Sequence, residues 1–520
     1  MRRRFLRLAT ISVLCVGVFA APVPVFGTEH EVLQGETDLF ADRRAESVEN
    51  QNLVGLWDEP EDYMHLLYSL PPTRSRLIDR IDESGEMSGY DIFYFSNDPL
   101  LSRYINAAIL ANPGVWESEH RWRAAMERIP QVSALPDPMV NVTQFIDEIE
   151  TRVGPQETIL SLSQKFPWFG KLDAKAEMAL RDALAAVEQY QARIRELVAS
   201  VKRSYYDLAY LDAGIRITEQ DKGLLEHFAD IAQKRYETGS GIQQAVIKIQ
   251  AEITRDSDRL LMLRQQRESM VARLNTLMNN PPQHPIPVLA EMVVPALEFD
   301  LDRLYALGKA NQQELRAAKY QIEKHDQQIR LAKKEYFPDF TVGFNYTVVD
   351  DREDALGKLN PPEGNGDNAS AVVLGFNIPL WEGKLMSGVR EAKELKYASE
   401  RAFHRLENEM EFSVRDGVIR AETTRDQLDL YEKVLIPQAE QALESTQSAY
   451  STGTLNALDL IDSERFLLNV RVAHARLVAD YMIALADIER AIGTAFPAPP
   501  VDMHEIRRTN EQQSAEPETN

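Results

Sequence analysis

The chain has 520 residues, with 58 Lys plus Arg against 81 Asp plus Glu and a formal net charge of −23 at pH 7. Hydrophobic residues make up 44% and charged residues 27%, enough for a packed core and too apolar for wholesale disorder. An acid excess of this size repels a phosphate backbone and excludes general nucleic-acid binding. The single cysteine, Cys15, excludes a disulfide framework and a cysteine-based metal site.

The start is basic, Met1-Arg-Arg-Arg-Phe-Leu-Arg7, and runs into an apolar stretch from Leu8 to Ala21. With small residues near Ala20 and Gly27, residues 1–27 have the three parts of a secretory signal peptide. They carry four arginines and no acids, so their removal takes the charge from −23 to −27. Cys15 offers lipidation as an alternative, against which Leu14 stands where a small residue is required. No later segment holds about 18 consecutive apolar residues, so no helix of the mature chain is expected to span a bilayer. An exported chain of this kind ends in the periplasm or in a membrane that admits β-barrels. Residues 28–99 form an acidic, aromatic-dotted extension, for which a partly ordered linker is one reading.

From about residue 100 the chain is written twice. Phe166-Pro-Trp-Phe-Gly-Lys171 returns as Ile378-Pro-Leu-Trp-Glu-Gly-Lys384, and Tyr236-Glu-Thr-Gly239 as Tyr450-Ser-Thr-Gly453. Upstream, Ala111-Asn112 answers Ala310-Asn311, and Pro136-Asp137 answers Pro338-Asp339. The copies span 100–279 and 301–493, with a linker at 280–300 and a polar tail over 494–520 whose composition is that of disorder. Each copy opens with an amphipathic helix, about 100–130 and 301–336. Two short alternating stretches follow, predicting β-hairpins at about 138–166 and 340–379. Strand-to-helix turns come next, at Pro167 and Gly170 in the first copy and at Pro379 and Gly383 in the second.

Very long helices follow these turns. Leu172, Ala176, Leu180, Ala183, Val187, Tyr190, Ile194, Leu197, Val201, Tyr205 and Leu208 form a single stripe at the helical period. Leu385, Val389, Ala392, Leu395, Ala402, Leu406 and Met410 keep the same rhythm in the second copy. From Gly170 to Thr238 the first helix would run ~100 Å. Pro437 is expected to kink or split the second. Each long helix ends at a Tyr-x-x-Gly turn, and another returns over about 242–279 and 455–493.

In the second hairpin Val342, Phe344, Tyr346 and Val348 share one face, as do Val372, Leu374, Phe376 and Ile378. Small and polar residues, such as Gly343, Asn345, Gly375 and Asn377, take the other. Apolar outward and small or polar inward suits a membrane barrel. The first hairpin alternates at Val140, Val142, Leu160 and Leu162, but Gln144 breaks the pattern. The stretch from Asp350 to Gly366 is acidic and reads as a flexible extracellular loop. Four strands cannot close a barrel, because each edge would show unpaired backbone groups to lipid. Several copies must therefore pool their strands.

The nine histidines are scattered, none three to five residues from another, so no zinc-type pair is present. Nucleophile-elbow, phosphate-loop and dinucleotide motifs are missing, and the chain reads as a non-enzyme without cofactor or metal.

Duplication, hairpins, very long helices and the Phe166-Pro-Trp-Phe-Gly-Lys171 word together resemble the TolC-like outer membrane efflux proteins. The Trp-Phe-Gly-Lys version is similar to the branch associated with heavy-metal efflux. The resemblance covers about 100–493 and implies a mainly α fold with a membrane β portion. It implies a homotrimer that pools twelve strands into one barrel in outer-membrane lipid, above a tapered α-helical barrel. It also implies docking to a periplasmic adaptor protein and an inner-membrane pump, with substrate passed outward without chemistry. By this resemblance Asp459 and Asp462 match the aspartates of the periplasmic aperture and Tyr450 its gating tyrosine. The turns at Tyr236, Gly239, Tyr450 and Gly453 become the adaptor contacts. The basic partner of the aperture falls at Leu455, and an acidic one at Ala245, so a salt-bridge lock is missing from its usual places. Residues 28–98 would pack outside the helical barrel. The aspartates can equally be complements to a helix dipole, and the alternative for the whole chain is a soluble periplasmic coiled-coil scaffold.

Overall fold

The computed structural model describes residues 98–295 and 297–496. The expected signal peptide, nearly all of the N-terminal extension and most of the tail lie outside the described residues. Of the tail, Phe496 is buried beside Phe299.

The first copy begins with two helices, α1 (Pro99–Ala111) and α2 (Pro113–Ser133), where one was expected. Pro113 forces Asn112 into extended backbone, and the Asn112 side chain caps α2 by accepting from Gly114 N at 2.9 Å. The second copy breaks one residue beyond the matching Asn311, at Gln312, between α5 (Leu301–Asn311) and α6 (Gln313–Lys334). The other elements are β1 (Met139–Thr151), β2 (Gly154–Phe166), α3 (Lys171–Glu237) and α4 (Gln243–Leu277) in the first copy. The second adds β3 (Phe340–Val349), α7 (Ala355–Leu359), β4 (Ala369–Phe376) and α8 (Glu382–Leu430). It finishes with α9 (Ile436–Thr452) and α10 (Ala457–Ile492). The one-turn helix α7 sits in the segment expected to be a flexible loop, started by Asp354, which accepts from Gly357 N at 2.9 Å.

At 67 residues, α3 is ~100 Å long. Its predicted stripe is the buried one: Leu180, Ala183, Val187, Tyr190, Val201 and Leu208 are all buried, against α1, α2, α6 and α10. Pro437 acts as expected, through a specific device. Its ring would collide with the carbonyl of Lys433, and the chain widens into a π turn over Tyr431–Leu435 before α9 resumes. The segment 280–300 is held down rather than loose. Leu289 N donates to Asp212 Oδ2 at 2.8 Å, and Tyr481 Oη donates to the Pro295 carbonyl at 3.0 Å.

The strands make one antiparallel sheet in the order β1-β2-β3-β4, with β1 and β4 at its edges. One row across it reads Val140, Leu162, Phe344, Val372, and these apolar side chains are all exposed. The adjacent row on the other face reads Asn141, Ser161, Asn345, Ala371. Gln144, which broke the alternation, stands where the β1–β2 register shifts. It accepts from Thr158 Oγ1 at 2.7 Å and donates to the Glu157 carbonyl at 3.0 Å, so its polarity is used inside the irregularity.

Candidate functional site at the helical tips

The two Tyr-x-x-Gly turns adopt one geometry. Gly239 N donates to the Tyr236 carbonyl at 3.0 Å and Ser240 N to Arg235 at 2.9 Å. In the second copy Gly453 N donates to Tyr450 at 3.1 Å and Thr454 N to Ala449 at 2.9 Å. Both glycines are left-handed, φ +74° and +84°, which a side chain would strain. Asn456 then starts α10, its Oδ1 accepting from Leu458 N at 2.7 Å and Asp459 N at 3.2 Å.

Asp459 and Asp462 lie three residues apart in the first turns of α10, on one side of the helix. Asp462 is 62% exposed and 3.7 Å from Arg465. Arg465 is already engaged, its Nε 3.0 Å from Glu252 on α4, so it neutralises the aspartate weakly. Tyr450 is buried, and burial raises the pKa of its hydroxyl. Tyr236 is exposed, and a side chain added at Gly239 would meet open space.

A basic residue does reach the second turn, but from the other copy. Arg235 donates to the Tyr450 carbonyl, and its guanidinium stands 5.0 Å over the Tyr450 ring. A further donor from Arg235 lies 3.0 Å from where a side chain on Gly453 would start. Between the tips is a groove of about 390 Å³ lined by Arg235, Ala245, Lys248, Tyr450 and Leu455. The two positions that lack a lock, Leu455 and Ala245, thus face the same groove, with Arg235 beside them.

Deeper in the junction three carboxyl groups meet in the apolar interior: Asp221 of α3, Asp256 of α4 and Glu464 of α10. Glu464 is 1% exposed and neither of its carboxyl oxygens has a hydrogen-bond donor. Burial first, and the neighbouring Glu464 carboxyl second, push Asp221 up to about 8. Burial, then Asp221, push Asp256 up to about 7, and burial raises Glu464. Arg259 is the cation that opposes both aspartate shifts. Among the described residues no three His, Cys, Asp or Glu side chains are arranged to hold a metal ion. Buried together, the three carboxyl groups hold their protons to higher pH than exposed ones would. Sequence reasoning missed it because its members come from three helices.

At the other end, the strand-to-helix turns of the two copies differ. Gly170 caps α3 in the left-handed region (φ +76°), whereas Gly383 lies inside the first turn of α8 without a positive φ. Lys171 is buried and donates to Asp339 at 2.8 Å, to Glu335 at 3.3 Å and to the Phe337 carbonyl at 3.1 Å. Trp168, after Pro167, stacks on Phe337 at 5.2 Å. Lys384, after Pro379, is exposed.

The family model described as "Outer membrane efflux protein" matches residues 104–280 and 304–494. Nodulation protein T of Rhizobium leguminosarum bv. trifolii is 22% identical over 461 residues, covering 82% of this chain and 93% of that protein. The outer membrane protein TolC of Vibrio cholerae is 22% identical over 405 residues, covering 71% and 85%. The crystal structure of the outer membrane protein VceC, also from Vibrio cholerae, superposes with a TM-score of 0.63 at 19% identity, over 76% of this chain and 97% of that one. Among the described residues no helix is long and apolar enough to cross a membrane.

Proposed function

The chain belongs to the outer membrane efflux protein family, and from that premise we propose that its helical tips narrow the periplasmic end of a duct shared by three copies. It is a channel of the outer membrane that extends into the periplasm and serves tripartite efflux without chemistry of its own. Membership implies a trimer and partnership with a periplasmic adaptor and an inner-membrane pump. The observation that carries the reading is the sheet: among the described residues it has four strands, two edge strands and an exposed apolar face, which supports a share in a lipid-embedded barrel and is too little to close one alone.

Asp459 and Asp462, repeated three times about one axis, would ring the aperture with carboxylates. Such a ring attracts cations and resists closing through like-charge repulsion. Tyr450, held by Arg235, would set the position of the turn that carries them. The exposed turn at Tyr236 and Gly239, with that at Tyr450 and Gly453, would meet the adaptor. Two measurements test this. After a carbonate wash the protein should stay with outer membranes; release into the wash would favour a periplasmic scaffold instead. In planar bilayers, replacing Asp459 and Asp462 by Asn should relieve block by divalent cations, and unchanged block would remove them from the aperture.

A further inference from the structure

The duplication allows the missing neighbour contact to be read from one already present. Within the chain, the first copy meets the second along β2–β3 and at the junction where Lys171 is bound by Asp339. If copies assemble as the proposed function requires, each second copy must meet the next chain's first copy in the same way, along β4–β1.

The correspondence of the two copies can be checked on the backbone. The sequence markers carry Val140 onto Val342, through Pro136-Asp137 and Pro338-Asp339, and Leu162 onto Leu374, through Phe166-Pro167 and Ile378-Pro379. In the sheet Val140 lies opposite Leu162, and Val342 lies opposite Leu374. The two hairpins thus have the same register under that correspondence, which sequence matching alone did not guarantee. The inner seam pairs Leu162 with Phe344 and Ser163 with Gly343. Carried across, Leu374 falls opposite Val142 of the next copy, and Gly375 opposite its Asn141. All of these lie on edge strands, and Val142 and Leu374 are 64% and 74% exposed in the single chain.

The same correspondence moves Asp339 onto Asp137 and, with the one residue inserted between Pro379 and Gly383, Lys171 onto Lys384. Although the caps of the two helices differ, one hydrogen bond is shared: Lys171 N donates to the Trp168 carbonyl at 3.0 Å, and Lys384 N donates to the Trp381 carbonyl at 3.0 Å. In the single chain Lys171 is buried on its aspartate, while Lys384 and Asp137 both stand exposed. We propose that Lys384 closes on Asp137 of the adjacent copy, across a β4–β1 seam in which Gly375 lies opposite Asn141. The partner surface is a second copy of this chain, identified by strand register and by opposite charge.

Cysteine pairs test the register in a Cys15→Ser background that is otherwise free of cysteine. Gly375 tolerates the change, since a side chain there meets only the Thr341 Cβ at 3.9 Å. Directly opposed side chains stand about 5 Å apart and diagonal ones about 7 Å, and a disulfide needs about 4 Å. Oxidation of outer membranes carrying Asn141→Cys with Gly375→Cys should therefore link most chains into covalent trimers on a non-reducing gel. Thr143→Cys with Gly375→Cys, one diagonal off, should link several-fold less. A better yield from the off-register pair overturns the register while leaving the shared duct intact. If neither pair links and the extracted protein is a single chain, the duct reading fails as well; if neither links in an extracted trimer, the register alone fails. For the ion pair, Lys384→Glu should lower the trimer yield several-fold, and adding Asp137→Lys should restore it. A double variant no better than the single one overturns the clasp.

Discussion

The two long helices α3 and α8 have the same apolar rhythm and different surroundings. Along α3 the stripe is covered by the chain's own helices from Ala174 to Ala232. Along α8, Ala392 and Met410 are buried, but Leu395 is 38% exposed and Ala402 is open to solvent. At the sheet the copies are alike, each with one strand paired on both sides (β2, β3) and one paired on a single side (β1, β4). The asymmetry recurs at the turns, where Lys171 has its aspartate and Lys384 does not. Within the chain the first copy meets the second along β2–β3 and at Lys171–Asp339, while an edge of each copy, β1 and β4, is left unpaired. A sequence repeat that is equal in pattern and unequal in burial is what a closed ring of identical chains leaves in each of them.

The sharpest way to break this comparison is to place a charge in each stripe. Ala183→Glu buries a carboxylate where exposure is nil and should cost more than ~3 kcal/mol, so that little folded chain is recovered. Leu395→Glu should leave the helical content of the chain unchanged by circular dichroism and lower the yield of the oligomer. Equal loss of folding in both variants would mean that α8 is completed within the chain after all.

A smaller effect concerns the carboxyl trio, which stands where α3, α4 and α10 meet. Asp221, Asp256 and Glu464 hold protons to higher pH when folded than when unfolded. The folded state therefore binds the extra protons between about pH 4 and about pH 8. Stability is highest below that window and falls as pH rises through it. The charged groups facing the trio are Arg259 and Glu252 from α4 and Arg465 from α10. Thermal unfolding should show a midpoint a few degrees lower at pH 9 than at pH 6, with a shallower dependence for Glu464→Gln. Parallel slopes for the two proteins would exclude the trio as the titrating group.

Smallest, and confined to the tips, is the effect of Arg235→Gln. It removes a charged hydrogen bond and a cation–π contact across the copies, together about 1–2 kcal/mol. Amide exchange around Tyr450–Leu455 should speed up roughly tenfold while the middle of α3 is unaffected, since tenfold corresponds to ~1.4 kcal/mol of local opening. Unchanged exchange at the turn would mean that Arg235 only rests against Tyr450.

What could be read from the sequence was what depends on neighbours along the chain. The stripe of α3, the Tyr-x-x-Gly turns and the alternation of β3 follow from period and glycine chemistry. Ala111-Asn112 was read as a word of the repeat inside one helix; the break there follows from Pro113, whereas Gln312 breaks without a proline and gives no local signal. Gln144 read as a defect and proved to be the site of a register shift. Arg235 and Tyr450 are 215 positions apart, and the carboxyl trio draws on three helices. Such contacts exist only once the two copies are packed together. Residue type alone announced none of them.

The incompleteness of the single chain is most directly tested by the mass of the complex extracted from outer membranes in mild detergent. Three copies per particle, retaining a β-sheet component in circular dichroism, is the predicted result. A particle of one copy, folded and lacking that component, would contradict it.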